Sequence, residues 1–124
     1  MAWSDMSMKS WKAAVALQRL RNHRSCVSRF YYAAFSAVTA EVRKVEHRFP
    51  NGFEHPPHPQ IGKAIKRHLV QFDQPERNDL RDAMSRLYNA RLDADYRHQA
   101  DPDDTDTRNA MRDARYVMES LGQL

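Results

Sequence analysis

Three polar side chains with complementary chemistry stand near the end of one predicted helix: Arg91, Asp95 and His98. They continue the apolar stripe that runs through Leu80 and Leu87. At 100° per residue, Arg91 and His98 would point within roughly 20° of each other, about 10 Å apart along the axis. An arginine can hold a phosphate in a planar fork, and an imidazole can exchange protons at neutral pH. Charges on a buried line are usually paired or used, so the spacing indicates a structural ion pair or a functional site.

Length and composition favour one domain covering residues 1–124, of the all-α class. The chain is 41% hydrophobic and 29% charged, which excludes disorder along its whole length. It contains only 3 glycines and 6 prolines. Its single cysteine, Cys26, has no partner for an internal disulfide, which fits a reducing compartment. With no membrane-length apolar run and no signal-like N-terminus, we expect a cytoplasmic protein that does not enter a membrane.

The charge is unevenly divided between the two halves of the chain. The net charge is +4, but residues 1–72 carry 12 basic and 4 acidic side chains, while residues 73–124 carry 8 and 12. A basic half can attract nucleic acid or another polyanion. Alternatively, basic and acidic helices of one bundle attract each other. The composition alone leaves both interpretations open.

Apolar periodicity predicts five helical segments in an up-and-down bundle. The first begins at Ser4 or Ser7, and the second runs from about Ser25 to Phe49. Residues 50–59 hold 4 of the 6 prolines and 2 of the 6 histidines, which is typical of a loop. The remaining segments cover approximately residues 61–72, 75–98 and 107–121.

Two sequence blocks resemble the HEPN superfamily (higher eukaryote and prokaryote nucleotide-binding domains). Ser28–Phe35 reads SRFYYAAF, early in the second segment, and Leu87–Tyr96 reads LYNARLDADY, late in the fourth. Small prokaryotic single-domain members show a Tyr-Tyr-Ala-x-Phe block, a loop with proline and histidine, an Arg-x-x-Ala-Asp-Tyr block and a closing helix. The order and spacing are similar to that plan from about Trp11 to Leu121.

The resemblance implies a bundle of four to five helices, commonly a homodimer. Many HEPN proteins are metal-independent endoribonucleases, often toxins of toxin–antitoxin pairs, whose motif is an arginine, four to six residues and a histidine. Arg91 and His98 match that spacing. Other members lack the histidine, bind a nucleotide rather than cut RNA, and accompany a small nucleotidyltransferase. Leu92, where active members carry a polar residue, and Tyr96, where the commonest motif has its histidine, keep this alternative open.

In an active site of this kind, no metal or cofactor is needed. A base takes the proton of a 2′-hydroxyl, a cation stabilises the charge on phosphorus, and an acid protonates the leaving oxygen. We assign proton transfer to His98 and phosphate binding to Arg91. Asp95 would lock the guanidinium by an i,i+4 pair, and Tyr96 would orient the phosphate or stack on a base. A purely structural oligomerisation domain remains a third hypothesis.

Several other residues have an ordinary structural interpretation beside a functional one. We expect Tyr31 and Phe35 in the core, with Tyr32 as a supporting residue whose hydroxyl needs a partner if it is buried. Arg29 would face either the Arg91 line or water. The two histidines at positions 55 and 58 lack the spacing of a metal site, and Cys26 is expected to be a packing thiol.

Overall fold

The computed structural model describes residues 2–124, and this part of the chain folds into α-helices without any strand. The helices are α1 (Trp3–Arg19), α2 (His23–Val42), α3 (Ile61–His68), α4 (Gln74–Tyr96) and α5 (Asp104–Ser120). Two short 3₁₀ turns, Pro50–Gly52 and His58–Gln60, interrupt the long connection between α2 and α3. The all-α class and the helical bundle predicted from the sequence are confirmed.

Helix α2 is the centre of the bundle and packs against the other four helices. From Cys26 to Thr39, every residue except Arg29 and Tyr32 is buried. Three alanines on α2 have no exposed surface, which lets neighbouring helices approach its backbone closely. Because Arg29 and Tyr32 are three residues apart, they lie on one face of α2, its only stripe in this stretch that is not buried.

The N-terminal half differs from the prediction at three helix ends, and one of them is that of α3, which ends at His68 rather than near Phe72. Helix α1 begins at Trp3, before either predicted capping serine, and the Ser7 hydroxyl instead donates to the Ala33 carbonyl at 2.6 Å, which joins α1 to α2. Helix α2 ends at Val42 rather than near Phe49. The Glu46 carboxylate accepts the backbone N–H groups of the next two residues, each at 2.8 Å, and so stabilises a turn where the periodicity predicted helix.

Capping side chains fix the register of the two helices in the acidic half. The Asp73 carboxylate accepts the Glu76 N–H at 2.9 Å, with Pro75 in the first turn of α4 as predicted. Asp103 and Asp106 form a reciprocal capping box at the start of α5. These caps define where α4 and α5 begin. Since α4 ends at Tyr96 and α5 begins at Asp104, residues 97–103 form the connection between the two helices.

Cys26 is a buried packing thiol, as expected from the sequence. Its Sγ donates to the Ala14 carbonyl at 3.3 Å, and burial raises the pKa of the thiol to about 11. A thiol that stays protonated at neutral pH is a poor nucleophile. No helix within residues 2–124 has both the length and the apolar character needed to cross a membrane.

Candidate functional site

Arg91 lies where the helical periodicity places it, on the buried side of α4, with 9% of the residue exposed. Its Nε donates to Asp95 Oδ2 at 3.0 Å, which is the i,i+4 pair predicted from the sequence. Its Nη2 donates to the Tyr32 hydroxyl at 2.9 Å and to the Tyr96 hydroxyl at 3.2 Å. The Ser28 hydroxyl donates to the same Asp95 oxygen at 3.2 Å, which fixes that carboxylate from α2.

Aromatic rings surround the guanidinium. Its central carbon lies 5.6 Å from the ring centroid of Tyr31, 5.4 Å from that of Tyr32 and 5.2 Å from that of Tyr96. Cation–π attraction at these distances favours the charged form. We call Arg91 with Asp95 and these three tyrosines the Arg91 site.

The charge of Arg91 is well compensated despite its burial. Burial by itself disfavours the cation, but the oxygens of Tyr32, Tyr96 and Asp95 outweigh that effect and raise the pKa of Arg91 above its ordinary value. Arg91 is therefore a permanent cation, held in one orientation. That is the property an anion-binding arginine needs.

One nitrogen of Arg91 keeps free donor capacity. A guanidinium has five N–H groups, two of them on Nη1. Within residues 2–124, Nη1 has no hydrogen-bond partner, and it is not among the buried unpaired atoms, so it still contacts solvent. The site is therefore neither dry nor fully paired within this chain, which disfavours the purely structural hypothesis.

His98 does not continue the line of Arg91, because α4 ends at Tyr96. Arg97 leaves helical geometry with φ −107° and ψ 88°, so His98 lies in the exposed connection to α5. The predicted alignment of Arg91 and His98 on one helical face is therefore wrong. Asp95 and Tyr96 lie within the helix and contact Arg91, whereas the His98 side chain makes no hydrogen bond with Arg91 in the described part of the chain.

Arg24, in the first turn of α2, holds the chain where α4 ends. Its Nη1 donates to the carbonyl of Ala94 at 2.9 Å, and its Nη2 donates to that of His98 at 3.0 Å. The same guanidinium also contacts three further carbonyls, those of Asp93, Arg97 and Ala100. Arg24 thus satisfies the last carbonyls of α4 and fixes the backbone of His98. Sequence reasoning did not single out Arg24 for this role.

Comparison with known families identifies the bundle. A family model described as the HEPN domain matches residues 1–124, which is the whole chain. The chain belongs to the HEPN domain family. No curated protein and no solved structure is significantly similar to it.

A second histidine of this HEPN domain lies beside the Arg91 site, and sequence reasoning did not select it. His58 Nδ1 and the Tyr31 hydroxyl share a hydrogen bond of 2.7 Å, and the imidazole stacks on Phe35 with ring centroids 4.2 Å apart. Burial, and then the charges of Arg91 and His55, lower the pKa of His58 to about 4. His58 is consequently neutral at neutral pH. The available signal was its place in the proline-rich loop before α3.

Arg29 is exposed to water and also lies over Tyr32 of the Arg91 site, so the two orientations that the sequence left open are not exclusive. Its guanidinium carbon is 5.4 Å from the Tyr32 ring centroid, the same distance as that of Arg91. Tyr32 therefore contacts two cations, one buried and one exposed. No group of three or more His, Cys, Asp or Glu side chains within residues 2–124 has a geometry suited to a metal ion.

Proposed function

We propose that this HEPN protein binds RNA through the Arg91 site and cleaves it as a metal-independent endoribonuclease of the toxin–antitoxin type. The observation that supports the proposal is that only part of the hydrogen-bonding capacity of Arg91 is used within the chain. Three of its N–H groups are held by Asp95, Tyr32 and Tyr96, whereas Nη1 remains open to solvent. A fixed guanidinium with an unpaired Nη1 can donate its two remaining N–H groups to phosphate oxygens.

The proposed chemistry is an internal transfer at phosphorus. The 2′-oxygen attacks the adjacent phosphorus, the bond from phosphorus to the 5′-oxygen breaks, and the products carry a 2′,3′-cyclic phosphate and a 5′-hydroxyl. Arg91 binds the phosphate and stabilises its added charge. One His98 imidazole takes the 2′-hydroxyl proton, and a protonated His98 from a second copy of the chain protonates the leaving oxygen. A homodimer would supply both imidazoles.

The environment of the two candidate histidines supports His98 for proton transfer. His58 has its Nδ1 engaged by Tyr31 and its pKa lowered to about 4, so it is a weak base. His98 is exposed, and Arg24 holds its carbonyl at 3.0 Å. An accessible imidazole on an anchored backbone can meet a substrate bound at a neighbouring arginine.

The proposal is tested with purified protein, single-stranded RNA and excess EDTA. Wild-type protein should produce ends with a 2′,3′-cyclic phosphate. Arg91→Ala and His98→Ala should each slow cleavage by about 10²- to 10⁴-fold. Arg97→Ala is the matched control, since Arg97 is an exposed arginine of the same segment that pairs with Asp93 and should tolerate the change. Full activity in His98→Ala would refute its catalytic role.

A second candidate function is a non-catalytic module that binds a nucleotide or a partner nucleotidyltransferase. Two observations favour it: α4 ends before His98, and the Tyr96 hydroxyl accepts a hydrogen bond from Arg91 at 3.2 Å. In that case, wild-type protein would bind RNA or nucleotide in an Arg91-dependent manner without producing any cleaved ends. Co-purification with a nucleotidyltransferase or with an antitoxin protein would separate the two partner classes.

A further inference from the structure

A cleft of about 270 Å³ opens beside the Arg91 site, between the first turns of α1, the exposed stripe of α2 and the proline-rich loop. We call it the aromatic cleft. Its lining includes Trp3 from α1, Tyr32 and Phe35 from α2, His55 and His58 from the loop, and Arg29. The function proposed above uses only the Tyr32 hydroxyl from this set.

The rings in the aromatic cleft meet mostly at steep angles. Trp3 crosses Phe35 at 72° and His55 at 74°, with ring centroids 6.4 and 5.7 Å apart. Trp3 lines the cleft and is half-buried, and within residues 2–124 no aromatic ring is stacked parallel on its indole. A planar aromatic ligand in the cleft could stack on Trp3, because flat rings gain most from offset stacking.

The charge of the lining selects an anionic ligand. Arg29 lines the cleft, and no Asp or Glu from the described residues does so. Tyr32 connects the cleft with the Arg91 site, because the guanidinium carbons of Arg29 and Arg91 each lie 5.4 Å from its ring centroid. The two cations are therefore no more than about 11 Å apart, twice that distance. A ligand with one aromatic ring system and adjacent phosphates matches this arrangement.

We propose that the aromatic cleft binds one unpaired base of the RNA whose phosphate is held at Arg91. This inference rests on the proposed function and adds a base-binding subsite to it. The cleft is slightly smaller than the roughly 300–1,000 Å³ typical of sites for drug-sized ligands, so it suits a single base. Single-stranded RNA is commonly held by stacking its bases on aromatic side chains beside basic ones.

Trp3 provides a direct reporter of base binding. The chain has two tryptophans, Trp3 and Trp11, so Trp11→Phe leaves Trp3 as the only indole. Adenosine and uridine 5′-monophosphates should quench Trp3 fluorescence saturably, whereas ribose 5-phosphate, which lacks the base, should not. Equal effects of the three probes would overturn the proposal, since they would show that the base does not contribute to binding.

The source of the base is distinguished by a single-stranded RNA hexamer with 2′-O-methyl riboses, which the proposed chemistry cannot cleave, and the same sequence in a duplex. The single strand should quench Trp3 at lower concentration than the monophosphates, because its phosphates also engage Arg91. The duplex should have little effect, because its bases are paired. Quenching by free nucleotide without any quenching by the hexamer would overturn the assignment to RNA.

Filling the cleft tests its location. Ser10 lines the cleft from α1. In the Trp11→Phe background, Ser10→Phe should weaken binding of the hexamer by about tenfold or more, as expected for the loss of one stacked base. Ser85→Phe makes the same change at an exposed position of α4 outside the lining and should bind as tightly as the parent. If Ser10→Phe does not fold, as judged by circular dichroism, the exposed Arg29→Gln should weaken binding several-fold instead. Unchanged binding in a folded variant would refute the proposal.

Failure of this proposal is distinguishable from failure of the proposed function. Cleavage that Ser10→Phe and Arg29→Gln leave unchanged, with no base-dependent quenching, would refute the base subsite and leave the endoribonuclease intact. Base-dependent quenching in a protein that produces no cleaved ends would support the subsite and refute the endoribonuclease.

Discussion

Two arginines of α4, five residues apart, form ion pairs of opposite construction. Arg86 reaches across to α5 and makes two hydrogen bonds with Asp113, at 3.1 and 3.0 Å, using both carboxylate oxygens. There the carboxylate is buried, with 6% of its side chain exposed, and the arginine is 56% exposed. Arg91 has the reverse arrangement, since its own side chain is 11% exposed and that of Asp95 is 28% exposed.

Under the proposed function, the difference separates an arginine that joins two helices from one that binds a ligand. Both arginines engage Nε and Nη2 and leave Nη1 without a partner among the described residues. In the Arg86 pair, the two donors are matched to the two oxygens of one carboxylate, and more than half of the arginine side chain is exposed. In the Arg91 site, Asp95 takes only Nε, tyrosine hydroxyls take Nη2, and the unused Nη1 belongs to a largely buried side chain. Burial of an arginine whose donors are incompletely used is costly, and a functional role is a common reason for it.

The sharpest test of this contrast is the matched pair Arg91→Lys and Arg86→Lys. Lysine keeps the charge but lacks the planar fork, so Arg91→Lys should slow RNA cleavage by about 100-fold. Arg86→Lys should leave the cleavage rate within about twofold of wild type, because most of its side chain faces solvent. Initial rates on one fluorescent RNA measure both. Equal losses in the two variants would show that the contrast has no functional meaning.

In contrast to Arg91→Lys, Asp113→Ala should lower the stability of the fold rather than the rate of RNA cleavage. It removes two charge-assisted hydrogen bonds between α4 and α5, so the free energy of unfolding should fall by about 1–3 kcal/mol. Urea denaturation measures that loss. RNA cleavage, assayed at a temperature where the variant is fully folded, should be unaffected. A folded Asp113→Ala that binds RNA poorly would place the Arg86 pair within the binding surface.

The sequence predicted Arg91 better than it predicted the surroundings of Arg91. The stripe of Leu80 and Leu87 extends with helical period to Arg91, and Asp95 follows one turn later, so local geometry was enough to place both. The end of α4 was not predictable in the same way. It depends on Arg24, which is distant in sequence and caps the carbonyls of Ala94 and His98.

His58 was missed for a related reason. It belongs to a proline-rich loop without apolar periodicity, so no pattern indicates which way the side chain points. Its position results from packing on Tyr31 and Phe35, which are on another element. Tertiary contacts of this kind leave little trace in a single sequence. Helix interiors were therefore predicted more accurately than helix ends and loops.

His58 gives the stability of the fold a pH dependence that can be measured. Its pKa is lowered from 6.5 to about 4 by burial and by Arg91 and His55, so between these values the unfolded chain binds a proton that the folded chain does not. The stabilisation is complete above about pH 6.5 and is lost as the pH falls through about 4. Because the imidazole is partly exposed, we expect about 1–2 kcal/mol.

Urea denaturation of wild type and His58→Phe at a series of pH values isolates this effect. Between pH 7 and pH 4, the free energy of unfolding of wild type should fall by that amount relative to that of His58→Phe. A difference that does not vary with pH would mean that His58 is as easily protonated in the folded protein as in the unfolded chain.

The smallest expected effect comes from Tyr32→Phe, which removes a single hydroxyl. The ring stays near both guanidiniums, so cation–π attraction is preserved, but Nη2 loses its shorter hydrogen bond of 2.9 Å. Since Tyr96 still accepts from Nη2, we expect RNA binding to weaken by about 0.5–1 kcal/mol, or two- to fivefold. Fluorescence anisotropy with the single-stranded hexamer measures this change. Tyr116→Phe, at an exposed tyrosine beside the Arg86 pair, is the matched control and should bind as wild type does. A loss as large as that of Arg91→Lys would mean that the Tyr32 hydroxyl itself contacts the RNA.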